Sequence, residues 1–400
     1  MPKLADRAGK IAESVTLAVD AKAKQLAAEG VDVVGFGAGE PDFDTPKYVC
    51  EAGKAAIDKG QTRYTPASGT MELKKAVAAK LKKDNGLEYD PAKEVLISCG
   101  AKHVIYNLID VMVNPGDEVV IPAPYWVSYP EMVRVADGIP VMPLAGGDQG
   151  FKLTPAQWAK AITPKTKAVI LNSPSNPTGA VYSPEELKAI AAVLVDKDVW
   201  VISDEIYEKL VFGSMKHASI AALEPKLKAR TLVVNGHSKS YAMTGWRIGY
   251  AAGPAAVIKA AANLQSHSTS NPSTMCQVAA TAALTQNDGG ARELETMRKE
   301  FEGRRDLIVD RLNKLPGVKC VKPDGAFYVF PDVSGCYGKS YAGVKMTDSL
   351  TFASVCLEKA HVALVPGSAF GDDRCVRLSF ATSREKINKG IDRLEKLLKG

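Results

Sequence analysis

The chain has no CxxC pair. Its seven cysteines, Cys50, Cys99, Cys276, Cys320, Cys336, Cys356 and Cys375, are odd in number and scattered. Such spacing argues against a disulfide framework or a zinc site, and points to a reducing, cytoplasmic setting. No apolar run reaches the roughly 18 to 20 residues that span a membrane. The first twenty residues include Asp6 and Glu13 and lack the uninterrupted apolar core of a secretory signal. Dense basic blocks are missing too. The 51 basic and 45 acidic residues are spread along the chain, so the net charge of +6 speaks for small anionic ligands rather than nucleic acid or lipid. There is no internal repeat and no low-complexity segment.

What is present is a chain of 400 residues, 46% of them hydrophobic, long enough for two domains. Apolar and β-branched runs predict strands at 94–98, 118–123, 140–143, 167–172, 199–203, 231–235 and 248–252. Helical spacing falls between most of them, at 101–113, 127–136, 155–161, 184–196 and 255–265. Runs such as Ala168–Leu171 and Val199–Ile202 are apolar throughout, as strands covered on both faces require. The fold expected is α/β with a mostly parallel seven-stranded sheet. Before it lie helical spacing at 10–29, a short strand at 31–36, and helices at 47–59 and 71–85. After about residue 290 come a long charged helix, strand candidates at 318–321, 326–331 and 375–380, and a closing amphipathic helix. The organisation expected is a large domain over 46–289, a smaller α+β domain over 290–400, and an N-terminal segment, 1–45, packing with the latter.

Open α/β sheets collect ligands at the carboxyl ends of their parallel strands. Strand 94–98 runs into Cys99-Gly100-Ala101-Lys102, a small-residue turn whose free N–H groups suit a phosphate, although a plain strand-to-helix turn looks the same. Strand 118–123 leads to Tyr125 and Trp126, either core packing or a platform for a flat ring. Strand 167–172 ends in a rigid Pro- and Gly-rich loop holding Asn176. Asp204 closes a buried strand, where a carboxylate needs a partner; a structural salt bridge and a protonated pyridine nitrogen both answer, and Tyr207 follows three residues later. Arg377 lies within an apolar strand, a setting in which a guanidinium seeks a bidentate anion.

The stretch Asn235 to Tyr250, NGHSKSYAMTGWRIGY, sets Lys239 among small and polar residues with Ser238 before it and Arg247 after it. A lone lysine is most often a solvated loop cation. A desolvated one beside another cation has a lowered pKa and attacks carbonyls, while nearby arginine and hydroxyls hold phosphate. Together these suggest a Schiff base with a phosphorylated aldehyde.

Nine collinear segments, among them GAGEPDFDTP, RYTPASG, NSPSNPTGA, SDEIYE, SKSYAMTGWRIGYAAGP and VRLSFATS, make the chain resemble the fold type I pyridoxal-phosphate enzymes. Within them it resembles the class I aminotransferases, and there the aspartate aminotransferase subgroup of bacteria and plastids. The resemblance implies pyridoxal 5'-phosphate bound to Lys239, which also shuttles a proton between the substrate Cα and C4′ of the cofactor. It implies Asp204 at the pyridine nitrogen, Asn176 and Tyr207 at the ring oxygen, and Trp126 on the ring. Arg247, Ser238, the backbone of Gly100 and Ala101, and Tyr64 from a second subunit would take the phosphate, so a homodimer with a shared site is expected. Arg377, Asn176 and Gly39 would grip the substrate α-carboxylate, and Lys102 with Thr16 the distal one. No metal, membrane or nucleic acid is implied, and no room is left for a DNA-binding module. The activity implied is amino transfer between L-aspartate and 2-oxoglutarate; aromatic substrates, a β-lyase reaction and a bifunctional aspartate/prephenate activity are the alternatives. Bacterial relatives that use prephenate tend to carry a lysine just before Ser-x-Thr, where this chain has Ala12 and Glu13 before Ser14-Val15-Thr16.

Overall fold

The computed structural model describes residues 4–12 and 15–399, with Asp6, Arg7, Thr16, Leu17 and Asp20 described by backbone alone. Its strands in chain order are β1 (Val34–Gly35), β2 (Val95–Ser98), β3 (Glu118–Val120), β4 (Ile139–Val141), β5 (Thr166–Asn172), β6 (Trp200–Asp204), β7 (Thr231–Gly236), β8 (Gly249–Ala252), β9 (Tyr328–Val329), β10 (Ser340–Tyr341), β11 (Val344–Lys345), β12 (Val362–Ala363), β13 (Val365–Pro366) and β14 (Val376–Ser379). Seven of them form one sheet in the order β2-β8-β7-β6-β5-β3-β4. Neighbours are parallel except at β8, which runs against both β2 and β7. The mostly parallel seven-stranded sheet expected from the sequence is present, and each strand expected for it takes part.

The apolar runs have a direct cause. Successive residues of a strand point to opposite faces, and here both faces are covered. Ile170 and Ile202 pack with Val104, Leu108 and Val133 on one side of the sheet. Their neighbours Val169, Leu171 and Val201 pack with Trp158, Leu187 and Leu194 on the other. A polar residue inside either strand would have to leave water on whichever face it took.

The C-terminal region holds a three-stranded antiparallel sheet, β13-β14-β9, and the hairpin β10-β11. The N-terminal segment joins it directly: β1 pairs in parallel with β12, and Val34 and Phe36 share an apolar cluster with Phe301, Phe327, Phe380 and Leu394. The strand expected at 318–321 reduces to one isolated bridge, Lys319 to Asp332. The hairpin, the helix Ser349–Ala360 and the pair β12 and β13 have no counterpart in the sequence reading. Two-residue strands are shorter than the span over which alternation becomes visible. No helix among the described residues is long and apolar enough to cross a membrane.

Candidate active site

Register brings the polar strand ends together. Asn172 at the end of β5 lies beside Asp204 at the end of β6, and Asp204 lies beside Val234 of β7. The Asn172 amide donates to the Asp204 carbonyl (3.0 Å), and its side-chain oxygen accepts from the Asn176 N–H (2.9 Å), which ties the following loop to the same edge. Antiparallel β8 starts at Gly249, opposite both Gly236 and Ser98. A Cβ on Gly249 would come within 2.2 Å of the Ala101 nitrogen, and one on Gly100, at φ +87°, within 2.5 Å of Arg247 Nη2. These two glycines let the turn after β2 close against β8. Arg247 is thereby placed at the open N-terminus of the helix Ala101–Met112, where unpaired N–H groups gather.

Around this edge lies a cavity of about 630 Å³. Its lining includes Gly39, Ala101, Lys102, Trp126, Asn176, Asp204, Tyr207, Ser238, Lys239, Arg247 and Arg377. Lys239 Nζ donates to the Gly39 carbonyl at 2.5 Å and stands 5.9 Å from the Tyr207 ring centre. Burial pushes its pKa down to about 8; Glu40 opposes the fall, and the charges of Arg247 and Arg377 add to it. Lys102 sits over Trp126, 4.9 Å from the ring centre, and is also pushed down, by burial and then by Arg247. Arg247 donates to the carbonyl of Thr244 at 2.9 Å.

Arg377 is 3% exposed. It donates to the Asn176 side-chain oxygen (3.1 Å) and to the Gly37 carbonyl (2.7 Å), and rests on the rings of Tyr328 and Phe370. Its Nε has no hydrogen-bond partner among the described residues. Asp204, 4% exposed, accepts from the Tyr129 hydroxyl at 2.6 Å and from the Ile206 N–H at 3.2 Å. Burial raises its pKa to about 6, against the pull of those two donors. The Tyr207 hydroxyl shares a 3.0 Å hydrogen bond with that of Tyr328. A buried guanidinium with a spare donor, a lysine with a lowered pKa and a buried carboxylate held, among the described residues, by neutral donors form a site that can bind anions, accept a cationic group and move a proton.

Residues 31–394 match the family model described as aminotransferase class I and II. The chain belongs to that family. It is 50% identical over 396 residues to the aspartate aminotransferase of Geobacillus stearothermophilus, covering 99% of each protein. It is 51% identical over 402 residues to the aspartate/prephenate aminotransferase of Cereibacter sphaeroides, covering 100% of each. Among solved structures, the aspartate aminotransferase of Rhizobium meliloti superposes with a TM-score of 0.96 at 43% identity, over 100% of this chain and 99% of that one. The Thermus thermophilus aspartate aminotransferase with maleate gives 0.93 at 44%, covering 100% of each. The fold is therefore that of the fold type I aminotransferases.

Of the described residues named from the sequence, Tyr64 and Gly100 are not part of the lining of this aminotransferase chain's cavity. Tyr64 is 90% exposed and lines no part of it. Thr16 belongs to the helix Val15–Ala28, but its side chain, like residues 13 and 14 before it, lies outside those described. Conversely, Lys24, Glu40, Tyr129, Asn172 and Tyr328 line the cavity without having been singled out, and Thr244, one of the hydroxyls near Lys239 in the sequence, lines it too. Thr244 donates to Glu40 at 2.7 Å. Tyr129 follows Trp126 by three residues, at the start of the helix Ser128–Val135, and the two rings meet edge-on with 5.2 Å between their centres.

Proposed function

We propose that the chain transfers the amino group between L-aspartate and 2-oxoglutarate, giving oxaloacetate and L-glutamate, with pyridoxal 5'-phosphate held at Lys239. The observation that carries this reading is the charge of the cavity. Among the described residues that line it, the basic side chains of Lys102, Lys239, Arg247 and Arg377 outnumber the two acidic ones, Glu40 and Asp204. A phosphate and a substrate with two carboxylates supply the missing negative charge.

The residues fit the cofactor. Gly100 leaves the backbone at the helix start open beside Arg247, which suits a phosphate, and Asp204 is a buried carboxylate that no cation pairs among the described residues, which suits a protonated ring nitrogen. When bound, the pyridine ring withdraws the electron pair left on the substrate Cα. Arg247, Ser238 and the N–H groups at Gly100 and Ala101 would hold the phosphate. Asn176 and Tyr207 would orient the ring oxygen, and Trp126 would cover a ring face. Arg377, through its spare Nε and with Asn176 and Gly39, would take the α-carboxylate. Lys102 with Thr16 would take the distal carboxylate, because an unpaired buried ammonium penalises apolar substrates. Lys239 Nζ, with a pKa near 8, is neutral often enough at physiological pH to remove the Cα proton.

The same reading makes the molecule a homodimer, in which the exposed Tyr64 meets the phosphate of its partner. It divides the chain into 1–45, 46–289 and 290–400, and it sets the protein in the cytoplasm, a setting that fits seven free cysteines. A second specificity, for prephenate, is supported by the Cereibacter sphaeroides relative and opposed by the residues before Thr16.

Wild-type protein with added pyridoxal 5'-phosphate should gain a visible absorption band that Lys239→Ala abolishes; absence of the band in wild type would end this reading. Lys102→Ala should lower turnover of aspartate at least about tenfold more than that of phenylalanine, the scale of one lost charged contact. Equal losses would remove Lys102 from specificity. Half-reaction spectra with aspartate and with prephenate-derived arogenate separate the two substrate readings.

A further inference from the structure

The carboxylate of Asp204 is held from two directions. One donor is local, the N–H of Ile206 two residues on, which reaches Oδ1. The other comes from a different element: Tyr129, in the first turn of the helix Ser128–Val135, sends its hydroxyl to Oδ2 at 2.6 Å. Tyr129 is 2% exposed, and its ring packs among Leu108, Val133 and Ile170 and edge-on to Trp126, with 5.2 Å between ring centres. A phenylalanine would fill that position equally well, so the hydroxyl is the only part of the side chain that the packing does not explain. Burial and the neighbouring Asp204 charge hold the phenol well above its ordinary pKa, so it is the donor in this pair.

We infer that Tyr129 is a positioning residue for Asp204, its hydroxyl fixing the carboxylate and keeping it ionised for the cationic ring nitrogen of the cofactor. The inference rests on the reading of Asp204 given above and deepens it. A hydrogen bond to the charged form of an acid favours that form. Without the hydroxyl, Asp204 would keep one weak donor in a buried site and would take up a proton at higher pH. A protonated Asp204 cannot face a protonated nitrogen as a counterion. The same helix start carries Trp126 just before it, so one short segment sets both the ring face and the acid beneath the nitrogen. The charges that act on Asp204 are those of Glu205, its chain neighbour, which disfavours ionisation, and of Lys239 from the loop after β7, which favours it. A Tyr129→Phe change alters neither.

The test compares full-length wild type, Tyr129→Phe and Asp204→Asn, each stripped of cofactor and titrated with pyridoxal 5'-phosphate from pH 5 to 9. Binding is followed by tryptophan fluorescence and by the thermal unfolding midpoint, so no turnover is needed. The cofactor's own titrations are common to the three proteins, and differences between them belong to the protein. Wild-type affinity should fall as the pH drops through about 6. In Tyr129→Phe that fall should be centred about one pH unit higher, leaving affinity roughly tenfold weaker at pH 7 and within about threefold of wild type at pH 9. Asp204→Asn should bind weakly without this step. A Tyr129→Phe midpoint equal to that of wild type, or a uniform weakening at every pH, would overturn the inference while leaving the cofactor reading intact. A step that persists in Asp204→Asn overturns it too, because the titrating group is then another. Wild type that fails to bind the cofactor at any pH overturns both.

Discussion

Asp204 and Glu205 are adjacent in the chain and equally hidden from water, yet their surroundings differ in kind. Asp204 faces the cavity and is held by two neutral donors. Glu205 faces the opposite way into a closed polar chamber, where it accepts from Ser203 (2.8 Å) and Ser219 (2.6 Å) and meets His217 Nε2 at 3.1 Å. Glu208, one turn on, pairs with Lys80 and accepts from Asn85 at 3.1 Å. Glu205, Glu208 and His217 bring their ligand atoms within 4.8 Å of one another, the spacing of a metal site, but Lys80 already supplies positive charge there. Burial alone would raise Glu208; Lys80, His217 and Lys209 outweigh it and hold the carboxyl near 2. Burial lowers His217, and the hydrogen bond and charge of Glu205 overcome that, giving a net rise. A buried acid furnished with its own cations is part of the frame. One that no cation pairs directly among the described residues, and that is raised to about 6, is kept for a ligand.

The widest separation should come from neutralising each acid. Asp204→Asn should cut turnover by about 10² to 10³, the usual scale for a lost preorganised charge at a reacting centre, with an unfolding midpoint equal to or above that of wild type. Glu208→Gln removes the close partner of Lys80, leaving it the longer pair with Asp84 at 3.7 Å and the Asn85 side-chain oxygen, and should destabilise by roughly 3 kcal/mol while turnover per folded molecule stays within about threefold. Steady-state rates and urea unfolding on both variants check this. Reversed results would abolish the distinction.

The pH dependence of the same two variants sharpens it. The folded pKa of Asp204 is raised from 3.8 to about 6, so its contribution to stability is present below 3.8 and is lost as the pH rises through 6. The stability of Asp204→Asn relative to wild type should therefore grow by about 2 kcal/mol between pH 4 and pH 7. Glu208 is lowered from 4.5 to about 2, so its contribution is present above 4.5 and is lost as the pH falls through 2. The deficit of Glu208→Gln should stay level from pH 7 to pH 5 and shrink only below that. Unfolding free energies measured across this range would expose any exchange of roles.

The sequence shows one side of this comparison far better than the other. The sheet was legible because strands buried on both faces must be apolar throughout, and the cavity residues because they stand at the ends of those strands. Asp204 was visible as a carboxylate closing such a run. Glu205 and Glu208 were equally visible as letters, but their partners, His217 and Ser219 for the first and Lys80 and Asn85 for the second, come from a loop after the strand and from a distant helix, and no spacing links them. Tyr129 was hidden for a related reason: its ring belongs to the apolar period of a helix, and only its last atom reaches the site. Elements of two residues, such as β1, β12 and β13, depend on partners far along the chain and leave no period to read.

The smallest effect expected is also the most exacting for the idea that the chamber behind Asp204 is a self-compensated unit. Exchanging a buried ion pair for apolar side chains of similar volume is often close to neutral, whereas removing one member strands the other. Lys80→Met alone and Glu208→Leu alone should each cost roughly 3 kcal/mol. Their combination should cost only about 2 kcal/mol, for the two hydrogen bonds that Asn85 makes with this pair. His217 would retain Glu205 as its partner, and Lys209 would retain Asp84 at 2.8 Å, so no further charge is stranded. The coupling between the two positions, about 4 kcal/mol from such a double-mutant cycle, measures how completely the two charges satisfy each other. A double variant whose cost approaches the sum of the singles would mean that Lys80 and Glu208 serve other partners, and that the boundary between frame and site does not run between Asp204 and Glu205.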